Sequence, residues 1–201
     1  ISMMNGLVHN LDPSLDLNLN LDLNLNPSQY LQNATLICSE LEVNQALNTL
    51  ADSLNEAYLN DSPIVLCVMS GGLYFTGQLL PKLKFSLELD YVHATRYDVI
   101  TGKSIKWLAK PRLTIKDRNI LILDDILDEG ITLKAIVDEC LQLGAKQISI
   151  AVLVDKILDK YKPITANYVG VTVPNQYVFG CGMDINGWWR NLPAIYAFNN
   201  T

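Results

Sequence analysis

Residues Asn119 to Ile136 read "NILILDDILDEGITLKAI". An apolar run ends in Asp124 and Asp125, and Asp128, Glu129, Gly130 and Thr132 follow before an amphipathic helix begins. A continuous apolar run of this kind predicts a strand buried on both faces. The turn into a helix exposes backbone N–H groups that have no intrahelical partner, at the positive end of the helix dipole, which suits an anion. Gly130 permits a tight turn and a close approach, and the Thr132 hydroxyl adds a hydrogen bond. The stretch holds neither the GxxxxGK[ST] nor the GxGxxG pattern. Four carboxylates repel a phosphate, so they must face something else. The vicinal hydroxyls of a sugar fit, because a carboxylate accepts hydrogen bonds from both. A divalent metal fits as well. A ligand with a phosphate at one end, a diol in the middle and a metal-bound polyphosphate at the other satisfies the whole stretch.

The flanking sequence places this motif in an α/β domain. "PIVLCVM" (63–69) and "QISIAVLVDK" (147–156) are further buried strands, and "SGG" (70–72) breaks the first of them. Ser39 and Glu42 have capping-box spacing. They open a helix through "ELEVNQALNTLADSLNEAYL", with Leu41, Ala46, Leu47, Leu50 and Leu54 near helical spacing. "LYFTGQLLPKL" reads as helical, "SLELDYVHATRY" (86–97) as a strand, "DVITGKS" (98–104) as a loop and "IKWLAK" as a strand. "NYVGVTVP" and "QYVFGCGM" follow as short strands, and "PAIYAF" closes the chain. Strands alternating with helices predict a mostly parallel sheet, whose ligands sit beyond the carboxyl ends of the strands.

The 201 residues suffice for one domain with a real core. The net charge of −6 and the pI of about 4.8 argue against broad nucleic-acid binding, which needs a basic footprint. Cys38, Cys67, Cys140 and Cys181 form no CxxC pair and lie in or beside apolar runs, as core thiols of a reducing cytosol do. No apolar stretch reaches the length of a membrane span, and no secretory signal is visible at the N-terminus. The chain is therefore expected in the cytoplasm, without a membrane or nucleic-acid partner. "LDLNLN" occurs twice, at 15–20 and 21–26, and residues 1–26 read as a low-complexity tail outside the active domain, which spans 27–201.

"ILILDDILDEGITL" resembles the phosphoribosyl-pyrophosphate signature of type I phosphoribosyltransferases, and more narrowly of the hypoxanthine-guanine phosphoribosyltransferases. The likeness runs from about Pro27 to Phe198 and includes "CVMSGGLYF", "DYVHATRY", "VLVDK" and "YVFGCGMDINGWWRNL" in order. It implies the type I phosphoribosyltransferase fold: a mostly parallel twisted sheet flanked by helices, with a small hood from the chain ends (the N-terminal helix region and 157–198). It also implies a salvage reaction in which the N9 of hypoxanthine or guanine displaces pyrophosphate from phosphoribosyl pyrophosphate, with Mg2+, to give IMP or GMP. Such enzymes commonly form homodimers or homotetramers.

By the same resemblance, Asp124 and Asp125 match the ribose-binding pair, with Asp124 one methylene shorter than the common Glu. The backbone of Asp128, Glu129, Gly130, Ile131 and Thr132 matches the 5′-phosphate loop. Asp128 matches the carboxylate facing purine N7, the general base. Glu129 stands where Thr is common and is expected to contribute only its N–H, with the side chain turned away. Ile131 stands in place of a commoner Lys. Lys156 matches the contact to the 6-oxygen; an ammonium only donates, which favours 6-oxo over 6-amino purines. Tyr177 matches the stacking aromatic, and the Val178 backbone meets the base edge. Ser70, Gly71 and Gly72 match the pyrophosphate loop, with a cis peptide expected at Met69–Ser70; Ser70 replaces a Lys found in some members. Arg190 matches the pyrophosphate arginine. Asp184 matches a metal ligand, with Asp124 and Asp125 also near metal. Arg96 and Tyr97, where Ser-Tyr is common, lie in a lid that excludes water. His9 is given no role, His93 is read as structural, in a strand just before the lid, over the alternative of a ligand contact, and Trp188 and Trp189 are assigned to packing or a subunit interface.

Two alternatives share the fold. One is a nucleotide-sensing regulator that acts through RNA, for which the chain lacks basic clusters. The other is an enzyme acting on xanthine, which Lys156 and Tyr177 do not separate from hypoxanthine and guanine.

Overall fold

The computed structural model describes residues 26–99 and 102–199 and, for 97–104, the backbone alone where it is described. Helix α1 (Pro27–Gln32) and strand β1 (Ala34–Cys38) come first, then helix α2 (Glu40–Ala57). Next are β2 (Ile64–Met69), α3 (Gly72–Leu79), β3 (Glu88–Val99) and β4 (Gly102–Ala109). Strand β5 (Asn119–Leu127) leads into α4 (Ile131–Gln142), followed by β6 (Gln147–Lys156) and β7 (Tyr168–Val173). The short strands β8 (Val178–Phe179) and β9 (Ile195–Phe198) end the described chain.

Six strands form the main sheet in the order β4-β3-β2-β5-β6-β7. Every pairing is parallel except β3 with β4. The apolar runs divide between its two faces, because successive strand side chains point to opposite sides. Val65, Leu121, Leu123 and Leu153 pack with Leu47, Leu50 and Leu54 of α2 and Phe75 of α3. Ile64, Leu66, Ile120, Ile122 and Val152 pack with Leu133, Ile136 and Cys140 of α4. A separate three-stranded antiparallel sheet, β1-β9-β8, joins the two ends of the described chain. Tyr30, Phe179 and Ile185 form its own small core.

The capping box at Ser39 forms as its spacing predicts, with Glu42 accepting from the Ser39 N–H at 2.8 Å. Leu41, expected on the helix's apolar stripe, is 68% exposed, because the buried stripe begins at Val43. The segment 98–104, read as a loop, instead extends a hairpin: β3 continues to Val99, β4 starts at Gly102, and Asp98 pairs with Lys103. Backbone pairing with a neighbouring strand overrides the polar composition here. Asn26, placed in the tail by its repeat, accepts from the Gln29 N–H and caps α1. All four cysteines are buried and free. Among the described residues no helix is long and apolar enough to cross a membrane.

Candidate active site

Chain order places the site. From β2 the sheet grows one way through β3 and the other way through β5, so the carboxyl ends of β2 and β5 flank a topological switch point. A cleft of about 840 Å³ opens there, within the range of small-molecule sites.

The floor is built by β5 and the turn after β2. Asp124 and Asp125 are 8% and 7% exposed. Burial, then the Asp125 charge, pushes the Asp124 carboxyl well up from its ordinary value. Burial also pushes Asp125 up, opposed by its hydrogen bond with Asp124 and by the Arg190 charge. The turn Ser70–Gly71 lies directly over this pair. A Cβ on Gly71 would stand 2.0 Å from Asp125 Oδ2, so any other residue requires the turn or the carboxylate to shift. The Met69–Ser70 peptide is cis.

The phosphate loop follows from β5. Gly130 has φ +79°, which L side chains rarely adopt, and it caps α4. Gly130 and Thr132, at the start of α4, both line the cleft. Next to the loop, Lys156 at the end of β6 is 8% exposed and pairs with Asp128 at 2.7 Å. Lys162 secures both neighbours from behind, donating to the Leu127 carbonyl at 2.9 Å and the Lys156 carbonyl at 2.5 Å, with Asp155 Oδ1 at 2.6 Å.

The far wall comes from the second sheet. Tyr177 and Val178 line the cleft, and the Tyr177 hydroxyl donates to the Asp184 carbonyl at 3.1 Å. Arg190 reaches Asp184 Oδ1 at 2.6 Å and donates to the Gly182 carbonyl at 2.8 Å. Asp184 Oδ2 accepts from the Gly187 N–H at 2.7 Å. Among the described residues no three His, Cys, Asp or Glu side chains are placed to hold a metal by themselves.

Of the residues singled out in the sequence, Ser70, Gly71, Arg96, Asp124, Asp125, Asp128, Glu129, Gly130, Thr132, Lys156, Tyr177, Val178, Asp184 and Arg190 meet at this one cleft. Gly72 and Ile131 do not line it: Gly72 is packed against the Leu123 carbonyl, and Ile131 starts α4. The Tyr97 side chain, like the 1–25 segment, lies outside the described residues. His93, read as structural, is half-buried in the cleft wall. Trp189 is a packing residue, with Nε1 donating to the Pro27 carbonyl at 2.5 Å, while Trp188 is 52% exposed.

One expectation needs correction. The Glu129 side chain is not idle. It is 12% exposed and forms ion pairs with Arg96 and Lys160. A buried carboxylate needs such partners. Lys160 and Lys162 had no signal in the sequence beyond their charge, because their partners lie on other elements.

The phosphoribosyl transferase domain family matches residues 39–186. The chain is 31% identical over 162 residues to the hypoxanthine-guanine phosphoribosyltransferase of Bacillus subtilis, covering 80% of this chain and 90% of that one. It is 31% identical over 172 residues to the bifunctional protein TilS/HprT of Listeria innocua, covering 85% of this chain. It spans only 26% of that relative's length. A crystal structure of a hypoxanthine-guanine phosphoribosyltransferase from Bacillus anthracis superposes with a TM-score of 0.75 at 26% identity, covering 81% of this chain and 95% of that one. Order of motifs, topology and relatives agree: the chain belongs to the phosphoribosyl transferase domain family.

Proposed function

We propose that this chain is a 6-oxopurine phosphoribosyltransferase, which transfers the 5-phosphoribosyl group of phosphoribosyl pyrophosphate to hypoxanthine or guanine. The observation that carries the reading is the meeting of Lys156, Asp128, the α4 loop, the acid pair and Arg190 in one cleft. In this reading the N-terminus of α4 binds the 5′-phosphate through backbone N–H groups. Asp124 and Asp125 accept from the ribose hydroxyls. Tyr177 stacks on the purine, and the buried Lys156 donates to its 6-oxygen, which leaves a 6-amino group without an acceptor. Purine N9 attacks ribose C1, the bond from C1 to pyrophosphate oxygen breaks, and the purine proton passes to Asp128 at N7. Arg190 and the Ser70–Gly71 turn hold the departing pyrophosphate.

Asp124, Asp125 and Asp184 would hold Mg2+ together with substrate oxygens. An ion that keeps its waters and takes phosphate oxygens needs only one or two carboxylates, which these residues supply. The buried acid pair, pushed up by desolvation and only partly offset by hydrogen bonds and the Arg190 charge, is a donor set suited to a cation. Bound there, the ion supplies charge neutralisation to the leaving group. The rest of the chemistry lies with the side chains named above. Residues 27–201 would form the catalytic unit, acting as a homodimer or homotetramer in the cytoplasm.

The test is monophosphate formation from phosphoribosyl pyrophosphate and Mg2+ with hypoxanthine, guanine, xanthine, adenine and uracil side by side. Turnover confined to 6-oxopurines is expected. Turnover with adenine or uracil would overturn the assignment of Lys156. Nucleotide binding without turnover on any base would favour a regulator built on the same fold.

A further inference from the structure

We infer that Glu129 is a positioning residue for the 5′-phosphate site: its carboxylate holds Arg96 and Lys160 beside a loop that carries no cation of its own. The inference rests on the reading above, in which residues 128–132 bind a 5′-phosphate.

The loop Asp128–Thr132 contains two acids and no Lys or Arg. A phosphate seated on it gains the α4 dipole and backbone donors but meets both carboxylates. Asp128 is neutralised by Lys156 at 2.7 Å. Glu129 is treated differently. Its Oε2 takes the Arg96 guanidinium and its Oε1 the Lys160 ammonium. One carboxylate therefore gathers two cationic side chains beside the loop.

The geometry explains why a carboxylate does this. Arg96 lies on β3, and Lys160 lies in the connection after β6; they are 33 and 31 residues from Glu129 in sequence. Arg96, Glu129, Lys160, Gly130 and Thr132 all line the same cleft. Two long cationic side chains from separate elements would otherwise lose rotamer freedom each time they met a ligand. A buried acid at the centre of the loop orders them beforehand. A guanidinium has five donors, so a carboxylate at Nη1 does not exhaust it for phosphate. Glu129 thus supplies through two neighbours the charge that Ile131 does not.

The experiment separates the phosphate from the rest of the ligand. Calorimetric affinities of the full chain for guanosine 5′-monophosphate and for guanosine are compared in the native protein and in Glu129→Gln, Arg96→Ala, Lys160→Ala and the Arg96→Ala/Glu129→Gln pair. Native protein is expected to bind the monophosphate more tightly. Glu129→Gln should weaken the monophosphate about tenfold and leave guanosine within about twofold. Lys160→Ala, at a side chain 57% exposed, should give a smaller loss confined to the monophosphate. The double variant should lose less than the sum of the two singles, because Arg96 and Glu129 share one of the interactions involved.

If native protein does not distinguish the two ligands, the phosphate-loop reading fails and takes the inference with it. If it does distinguish them and Glu129→Gln matches native affinity, the inference alone falls. Tighter monophosphate binding in Glu129→Gln would make Glu129 a competitor of the phosphate and overturn it. Equal loss for both ligands would show a merely structural role and overturn it too. Should Glu129→Gln fail to fold, Lys160→Ala decides, and equal monophosphate affinity there would sink the inference.

Discussion

The floor and the rim of the cleft are made by opposite means. On the floor, Asp124 and Asp125 stand side by side in a buried site, with their carboxyls pushed up by desolvation and, among the described residues, no cation in direct contact. At the rim, Glu129 meets two cations, and Lys160 is 57% exposed. The floor comes from one contiguous strand end and the turn on the neighbouring strand. The rim comes from three separated stretches. The floor is therefore a function imposed on the fold at a cost in stability, because like charges are held out of water. The rim is an arrangement of paired charges that stabilises itself modestly and shapes binding. Loss on the floor should lower kcat/KM, while loss at the rim should tune phosphate affinity.

The largest expected effect is at the junction of the two. Asp128→Asn should lower turnover about 1,000-fold while phosphoribosyl pyrophosphate still binds. Steady-state rates beside equilibrium binding would check this, and unchanged turnover would remove Asp128 from the mechanism. Gly71→Ala comes next. Its Cβ would stand 2.0 Å from Asp125 Oδ2, so the turn or the carboxylate must shift. A displacement of about an ångström near reacting groups costs about 100-fold in kcat/KM. An active Gly71→Ala enzyme would show that the floor is plastic and would break the comparison.

Asp124→Asn sharpens the comparison through a change of opposite sign in two measurements. It removes one of two buried like charges, so the melting temperature should rise by a few degrees, at about 3 °C per kcal/mol for a chain of this size. It also weakens the ribose contact, and kcat/KM should fall about tenfold. A lower melting temperature would mean that the acid pair stabilises the fold, contrary to its desolvation.

The same contrast decides what was legible in the sequence. The strands β2, β5 and β6 are continuous apolar runs, and the Ser39–Glu42 capping box is local, so each carries its own signal. The floor follows directly, because Asp124 and Asp125 sit at the end of such a run. Residues 27–38 carry no clean period; Tyr30 is buried against Phe179, Ile185 and Phe198, which arrive much later in the chain, so α1 and β1 leave no local signal. Polar residues 98–104 look like a loop until β3 and β4 pair across them. Glu129, Lys160 and Lys162 are surface-like charges in sequence, and their roles exist only after β3, the α4 loop and the β6–β7 connection meet.

The smallest effect expected is at the chain end, where repeat and domain meet. The "LDLNLN" repeat closes at Asn26, but that residue's side chain accepts from the Gln29 N–H at 3.1 Å, while Gln29 Oε1 accepts from the Asn26 N–H at 2.8 Å. This reciprocal box starts α1, which carries Tyr30 into the small core of the second sheet. Asn26→Ala should therefore cost about 1 kcal/mol, read as a fall of about 3 °C in melting temperature, with kcat/KM unchanged. Removal of residues 1–25 should change neither quantity. If that truncation lowers activity, the repeat belongs to the functional unit. If Asn26→Ala leaves the melting temperature alone, α1 is held by Tyr30 burial without its cap, and the second sheet depends on packing alone.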